Sequence, residues 1–233
     1  VNFFGEVVSV VGHRGWPTRF PDNTVAGFQA AFEVVSMVET DIRRAAGGEL
    51  VLSHDAHLGG LTVAETRWED LRTLDLGGTG PASLAEALAA CPAGRWNLEI
   101  KNDPLDPGYE DDLAIAMETA EMAGPGDLCT SFYWPNVDLI RDRLPEVRTG
   151  LLVDEGWDLT EAAHHGREKG HIALAVHWSI LERDPGEIRR LAGLGLATVT
   201  WTVNDPAMAL RLAEAGVAAI ITDDPGSISE ALR

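Results

Sequence analysis

The fold class the sequence predicts is α/β, a (β/α)8 TIM barrel with an extra β-hairpin strand after the second barrel strand. Three observations carry this. Short segments rich in Val, Ile, Leu and Thr alternate with amphipathic stretches along all 233 residues. Eight of the strand-like segments are spaced for parallel crossovers, which is the content of a closed α/β barrel. A ninth follows the second too closely to lie parallel to it.

In order, the barrel strands are expected at residues 7–13, 37–41, 96–101, 127–132, 149–153, 172–177, 196–203 and 217–222. Most are apolar on both faces, as strands covered by helices are. After the first strand, Val25, Phe28, Ala31, Phe32 and Val35 recur at helical spacing. Helix starts are punctuated by Asp205-Pro206 and Asp224-Pro225, each an N-cap followed by proline, and by Ser83 with Glu86 as a capping box. Residues 49–54 form the ninth strand. Only eight residues separate Asp41 from Leu50, so Gly47-Gly48 must turn the chain back as an antiparallel hairpin, with Asp41 about opposite His54. Residues 57–81 form the longest irregular connection, a short cap with one helix near 68–74. No repeat, low-complexity tract or linker divides the chain, so residues 1–233 are expected to form one domain.

Composition narrows the partners. With 37 Asp+Glu against 18 Lys+Arg, the formal net charge is -19. That excludes a nucleic-acid partner and disfavours anionic membrane surfaces. No stretch approaches the ~18 apolar residues of a membrane span, so no stable membrane insertion is expected. The two cysteines, Cys91 and Cys129, make no disulfide framework and suit a reducing compartment. The opening apolar run has no basic segment before it, so no signal peptide is expected, and the expected location is cytoplasmic. Lysine occurs only at 101 and 169.

Catalytic groups of such barrels sit at the C-terminal ends of the strands. Those ends read His13-Arg14-Gly15, Glu39-Thr40-Asp41, Glu99-Ile100-Lys101, Ser131-Phe132, Trp201 with Asn204, and Thr222-Asp223. Side chains alternate along a strand, so Glu39 and Asp41 share a face, as do Glu99 and Lys101. Ile100 then points under a helix, and Glu99 and Lys101 point into the mouth. Three converging carboxylates need protonation, cations or a bound metal to offset desolvation and repulsion. An all-oxygen set favours Mg²⁺ or Ca²⁺ over zinc. The alternative is that Arg14, Arg43 and Lys101 pair them as rim salt bridges. His13 and His54 flank these acids and are candidate proton carriers. Arg14 and Lys101 would supply charge to an anionic group such as phosphate. His177 ends the sixth strand and is a weaker candidate; His57, His164, His165 and His171 lie in a loop, on a helix or before a strand.

These residues carry a family resemblance. Val11-Gly12-His13-Arg14-Gly15, Pro21-Asp22-Asn23-Thr24, Glu39-Thr40-Asp41, His54-Asp55, Glu99-Ile100-Lys101, Trp201-Thr202-Val203-Asn204 and Thr222-Asp223-Asp224-Pro225 come in order. Together they resemble the glycerophosphodiester phosphodiesterases of the phosphatidylinositol-phospholipase-C-like superfamily, from about residue 10 to about residue 226. The resemblance implies a metal-dependent hydrolase that converts a small-molecule glycerophosphodiester to glycerol 3-phosphate and an alcohol. It implies Glu39, Asp41 and Glu99 as ligands to one divalent cation, Mg²⁺ or Ca²⁺, and His13 and His54 as general base and acid. It also implies Arg14 and Lys101 at the phosphate, and Trp201 at the pocket wall. One departure is Asp22 where the family has Glu, one methylene shorter, and the expectation is that Asp22 lies out of reach of the site. The short segment 57–81 implies a smaller cap and a more open mouth.

Two other functions compete. One is a related barrel phosphodiesterase acting on lysophospholipid or sphingolipid head groups, with Trp16, Trp68, Trp134 and Trp157 lining an apolar approach. The other is a non-catalytic barrel that binds metal or phosphate, against which all the candidate polar groups are intact. An enolase-like barrel would need its metal acids on three successive strands, and the Glu39-Asp41 pair on one strand argues against it.

Overall fold

The computed structural model describes residues 8–233. Residues 1–7, and with them Val7 of the first expected strand and the first part of the opening apolar run, lie outside the described residues. Strand β1 (Ser9–Gly12) leads through a turn to helix α1 (Val25–Phe32), and β2 (Met37–Arg44) follows. β1 and β2 pair in parallel, with Val11 beside Met37 and Gly12 beside Val38. Parallel strands β6 (Arg95–Ile100), β7 (Leu128–Ser131), β8 (Arg148–Val153), β9 (Ala173–His177), β10 (Ala197–Trp201) and β11 (Ala219–Thr222) extend the sheet from β2. β11 returns to β1, with Ser9 beside Ala219, and closes a ring of eight.

The strands sit where the pattern expects them, with trimmed or extended ends. The tenth is Ala197–Trp201 rather than 196–203, and the eleventh is Ala219–Thr222 rather than 217–222. The second runs three residues beyond Asp41. The reason is its neighbour β3 (Leu50–Leu52), which pairs antiparallel with it at Ile42–Leu52, Arg43–Val51 and Arg44–Leu50. β1 stops beside Val38, so β3 takes the edge of β2 that β1 leaves free. The Ser53 amide donates to the Asp41 carbonyl at 3.0 Å, which puts Ser53, not His54, opposite Asp41. A one-residue offset of this kind follows from the turn geometry around Gly47 and Gly48, both at positive φ.

Residues 57–81 are more ordered than expected. They hold a two-residue hairpin, β4 (His57–Leu58) with β5 (Leu61–Thr62), a 3₁₀ turn at Val63–Glu65, and α2 (Trp68–Leu71), which stops short of Leu74. Val63 and Leu71 pack under this cap against Ala45 and Val51.

Helices α3 (Leu84–Ala90), α4 (Ala114–Met122), α5 (Pro135–Arg143), α6 (Leu159–Lys169), α7 (Trp178–Arg183), α8 (Gly186–Gly193), α9 (Pro206–Ala215) and α10 (Pro225–Ala231) cover the ring. The capping box of Ser83 and Glu86 is present, and Asp205 and Asp224 cap α9 and α10 ahead of proline. The core has two layers. Phe28, Trp96, Leu98 and Ile100 belong to the layer between strands and helices, where Phe28 meets Trp96 edge-on at 5.0 Å. Ile100 therefore does point under a helix. Met37, Leu128, Leu152 and the small Ala173, Ala175, Ala197 and Ala219 fill the barrel interior. Alternating small and large residues let side chains from eight converging strands share a narrow lumen. No helix among the described residues is long and apolar enough to cross a membrane.

Candidate active site

The turn after β1 builds one wall of the mouth. A Cβ on Gly12 would run into the carbonyl oxygen of Gly15, so the chain can double back only with glycine at 12. Arg14 adopts the left-handed conformation (φ 51°), which aims its amide at Glu39 Oε2, 2.9 Å away. His13 is fixed by the last strand: its Nδ1 lies 2.6 Å from Asp223 Oδ1. Asn204 holds that carboxylate in turn, donating to Asp223 Oδ2 at 2.6 Å and accepting from the Asp223 amide at 2.9 Å. Burial works against ionising Asp223, but the bonds from His13 and Asn204 prevail and hold its pKa below the usual range.

Glu39, Asp41 and Glu99 stand beside one another because β2 and β6 pair with Asp41 opposite Glu99. All three are buried, and an oxygen from each lies within 4.8 Å of the others. Burial first, then repulsion from Asp41 and Glu99, pushes the Glu39 pKa well above the ordinary value. Burial also opposes the Asp41 charge, but Lys101 and Arg14 outweigh it and the net shift is downward. Lys101 Nζ lies 2.8 Å from Glu99 Oε1 and 3.5 Å from Asp41 Oδ1, and Arg14 Nε lies 3.4 Å from Asp41 Oδ2. Asn23 donates to Asp41 Oδ2 at 2.9 Å and accepts from Thr40 Oγ1 at 2.8 Å.

The rim-salt-bridge alternative therefore holds for Asp41 and Glu99 and fails for Glu39. Arg43 takes no part, since its guanidinium goes to Asp106 at 2.8 Å and to the His54 carbonyl. Glu39 Oε1 is buried without a hydrogen-bond partner. A buried carboxylate oxygen left unpaired is costly, and a divalent cation shared with Asp41 and Glu99 would satisfy it. The all-oxygen donor set fits a hard cation.

β3 delivers His54 to the opposite wall. Because β3 lies above the end of β1, both histidines line one cavity of about 80 Å³ with Glu39, Glu99 and Arg14. His54 Nδ1 lies 2.7 Å from Asp55 Oδ1, and that bond lowers the Asp55 pKa. Trp201, Phe132 and Leu152 form the apolar side. Trp201 Nε1 donates to the Ala175 carbonyl at 2.9 Å, and its ring meets Phe132 edge-on at 5.4 Å.

All eight residues expected at the site are gathered here; Asp41 and Lys101 flank the cavity through their contacts with Glu99 and Arg14. One expectation is corrected. Asp22 reaches the site's edge despite its missing methylene, with Oδ2 2.9 Å from Arg14 Nη1, because the arginine side chain spans the gap. His177 packs its ring on Trp201 but bonds Ser179, and does not line the cavity. His165 and His171 meet at Asp138, near the N-terminal ends of β8 and β9 at the far end of the barrel. Sequence reasoning left Asp223 and Asn23 without roles, although both lie within motifs it marked. Their work is to hold His13 and Asp41, and it depends on contacts between distant strands.

The glycerophosphoryl diester phosphodiesterase family model matches residues 13–227. A glycerophosphodiester phosphodiesterase of Caldanaerobacter subterraneus is 27% identical over 96% of this chain and 97% of its own. The crystal structure of a Silicibacter pomeroyi protein assigned to the glycerophosphoryl diester phosphodiesterases superposes with a TM-score of 0.86 at 26% identity, over 99% of this chain and 95% of that one. An Oleispira antarctica phosphodiesterase, solved with its product sn-glycerol-3-phosphate, shares the fold at a TM-score of 0.83 and 23% identity, over 96% of each chain. A carboxylate triad and two carboxylate-held histidines at the mouth of an eightfold barrel thus accompany a family match over almost the whole chain, and the chain belongs to the glycerophosphoryl diester phosphodiesterase family, hydrolases of the phosphodiester bond.

Proposed function

We propose that the chain hydrolyses glycerophosphodiesters to glycerol 3-phosphate and an alcohol, using a divalent cation and two histidines with opposite proton duties. The observation that carries this is the pair of imidazoles lining one small cavity beside three buried carboxylates. Glu39, Asp41 and Glu99 would hold Mg²⁺ or Ca²⁺. When bound, such an ion would supply Lewis-acid stabilisation of the negative charge that develops at the phosphate.

The chain's own residues do the rest. Asp223, kept ionised, accepts a hydrogen bond from Nδ1–H of His13 and so leaves the lone pair on Nε2, which lies 3.9 Å from Glu39 Oε2. In that tautomer His13 takes the proton from the attacking oxygen. Asp55 likewise accepts from Nδ1 of His54, and a proton on Nε2 can pass to the leaving alkoxide as the P–O bond breaks. Each transfer is worth roughly 10²–10⁴-fold in rate. Arg14 and Lys101 face the phosphate oxygens, and Trp201 bounds the glycerol side. The favoured nucleophile is the adjacent glycerol hydroxyl, giving a cyclic phosphate that water opens with the histidine roles exchanged.

The test is release of glycerol 3-phosphate from glycerophosphocholine by purified protein. Chelation should abolish turnover, and Mg²⁺ or Ca²⁺ should restore it. Full turnover by Glu99→Ala after exhaustive chelation would overturn the metal role.

A further inference from the structure

A second cavity, of about 400 Å³, adjoins the catalytic one and shares His54 and Phe132 with it. Its outer side comes from the loops after β6, β7 and β8, with Asp103, Tyr133, Asp154 and Trp157. A proton donor stands between the reacting phosphorus and the group that departs. With His54 on the boundary, this cavity is the room for the leaving alcohol, an inference that rests on the phosphodiesterase reading above.

Its charge is one-sided. The two cations in its wall are already matched, Arg43 by Asp106 at 2.8 Å and Lys101 by Glu99 at 2.8 Å. Among the described residues no arginine or lysine forms an ion pair with Asp103, Asp154 or Asp55. Asp154 and Asp103 are fixed by their own loops, each accepting a backbone N–H, from Glu155 at 2.6 Å and from Leu105 at 2.9 Å. The rings are held as well. Trp157 is 44% exposed yet locked edge-on between Phe132 (6.1 Å) and Trp134 (5.9 Å), and Tyr133 meets Tyr109 edge-on at 5.8 Å. Phe132 already faces a cation, with Lys101 Nζ 5.7 Å from its centroid.

Aromatic faces beside unmatched carboxylates attract alkylammonium ions. A neutral polyol in the same place finds acceptors but gains neither the cation–π nor the Coulomb attraction. We propose that this cavity is a specificity subsite for a cationic leaving group, a choline- or ethanolamine-like alkylammonium alcohol, with Trp157 and Tyr133 as its rings and Asp154 and Asp103 as its counter-charge.

The experiment compares kcat/KM for glycerophosphocholine and glycerophosphoglycerol. Wild type should favour the choline ester by about 10-fold, the scale of a partly exposed cation–π contact with charge assistance. Trp157→Ala and Asp154→Asn should each cut that ratio to about threefold or less. The asparagine variant keeps the loop's shape, so the measurement survives if the alanine variant folds poorly. A wild-type ratio near one, or a ratio unchanged in both variants, would overturn the subsite while leaving the phosphodiesterase reading intact. Failure to hydrolyse either ester would overturn that reading and the subsite with it.

Discussion

Nδ1 of His13 and Oδ1 of Asp223 lie 2.6 Å apart across the seam where the first and last barrel strands meet. The contact joins residues 210 positions apart, so it exists only once the ring has closed. It fixes which nitrogen of His13 faces the cavity. Asp223 is a positioning residue in this arrangement, acting through the imidazole. Asp223→Asn should lower kcat by about 10²-fold, the lower end of what a positioned base supplies, with little change in KM. Steady-state assays of alcohol release across pH would show it as a loss of the basic form's advantage. A variant within threefold of wild type at every pH would mean that the carboxylate only packs the seam.

The two histidines should separate by leaving group. His54→Ala should cripple hydrolysis of glycerophosphocholine, whose alkoxide needs a proton, and spare a nitrophenyl ester, whose leaving group does not. His13→Ala should damage both substrates alike, because the attacking hydroxyl still has to lose its proton. Rescue of His13→Ala by the activated ester would reverse the assignment.

Glu39 offers a test on stability rather than rate. In metal-free protein its charge is disfavoured by burial and by Asp41 and Glu99. Glu39→Gln removes that burden, so the metal-free variant should melt at or above the wild-type temperature. It should also lose most of the rise in Tm that Mg²⁺ or Ca²⁺ gives wild type, since a ligand that binds only the folded state stabilises it by mass action. A variant with the full metal-induced rise would place the cation elsewhere.

Asp138 sets a pH dependence far from the mouth. It accepts from Nε2 of His171 at 2.9 Å and of His165 at 3.0 Å, and these bonds, against the opposing effect of burial, lower its pKa. A depressed carboxylate stabilises the folded state above its unfolded pKa, and the contribution is lost as pH falls through the folded value. Asp138→Asn should therefore be less stable than wild type to urea at pH 7. The difference should begin to shrink as pH falls to about 4, the ordinary range of an aspartate, and be gone once pH is below the lowered folded value. A difference that stays constant as pH falls through both values would assign the effect to packing.

The barrel was legible because eight buried strands repeat one chemical pattern, and β3 because a two-glycine turn leaves no room for a crossover helix. Glu39, Asp41 and Glu99 were legible because alternation along a strand decides which side chains share a face. What depended on long-range contact was not. Nothing local in the sequence tells that Asn204 braces Asp223, that Arg43 turns from the carboxylates to the His54 carbonyl, or that Asp22 touches Arg14. The pairing of Ser53 rather than His54 with Asp41 is set by one residue of turn geometry. The order within residues 57–81 comes from Val63 and Leu71 finding Ala45 and Val51.

β3 lies outside the closed ring, bonded along three residues to the overhang of β2 on one side and through Leu52 and Val51 to the segment at Ala82 and Ser83 on the other. Such an appendage can peel away at a free-energy cost below that of global unfolding. Its amides should exchange with deuterated solvent sooner than those of β2 and β6, which the ring protects. His54 leaves with it, so on heating, turnover would fail while the ellipticity of the barrel still reads native. The clamp of Arg43 on the His54 carbonyl and Asp106 sets how far apart those two losses fall.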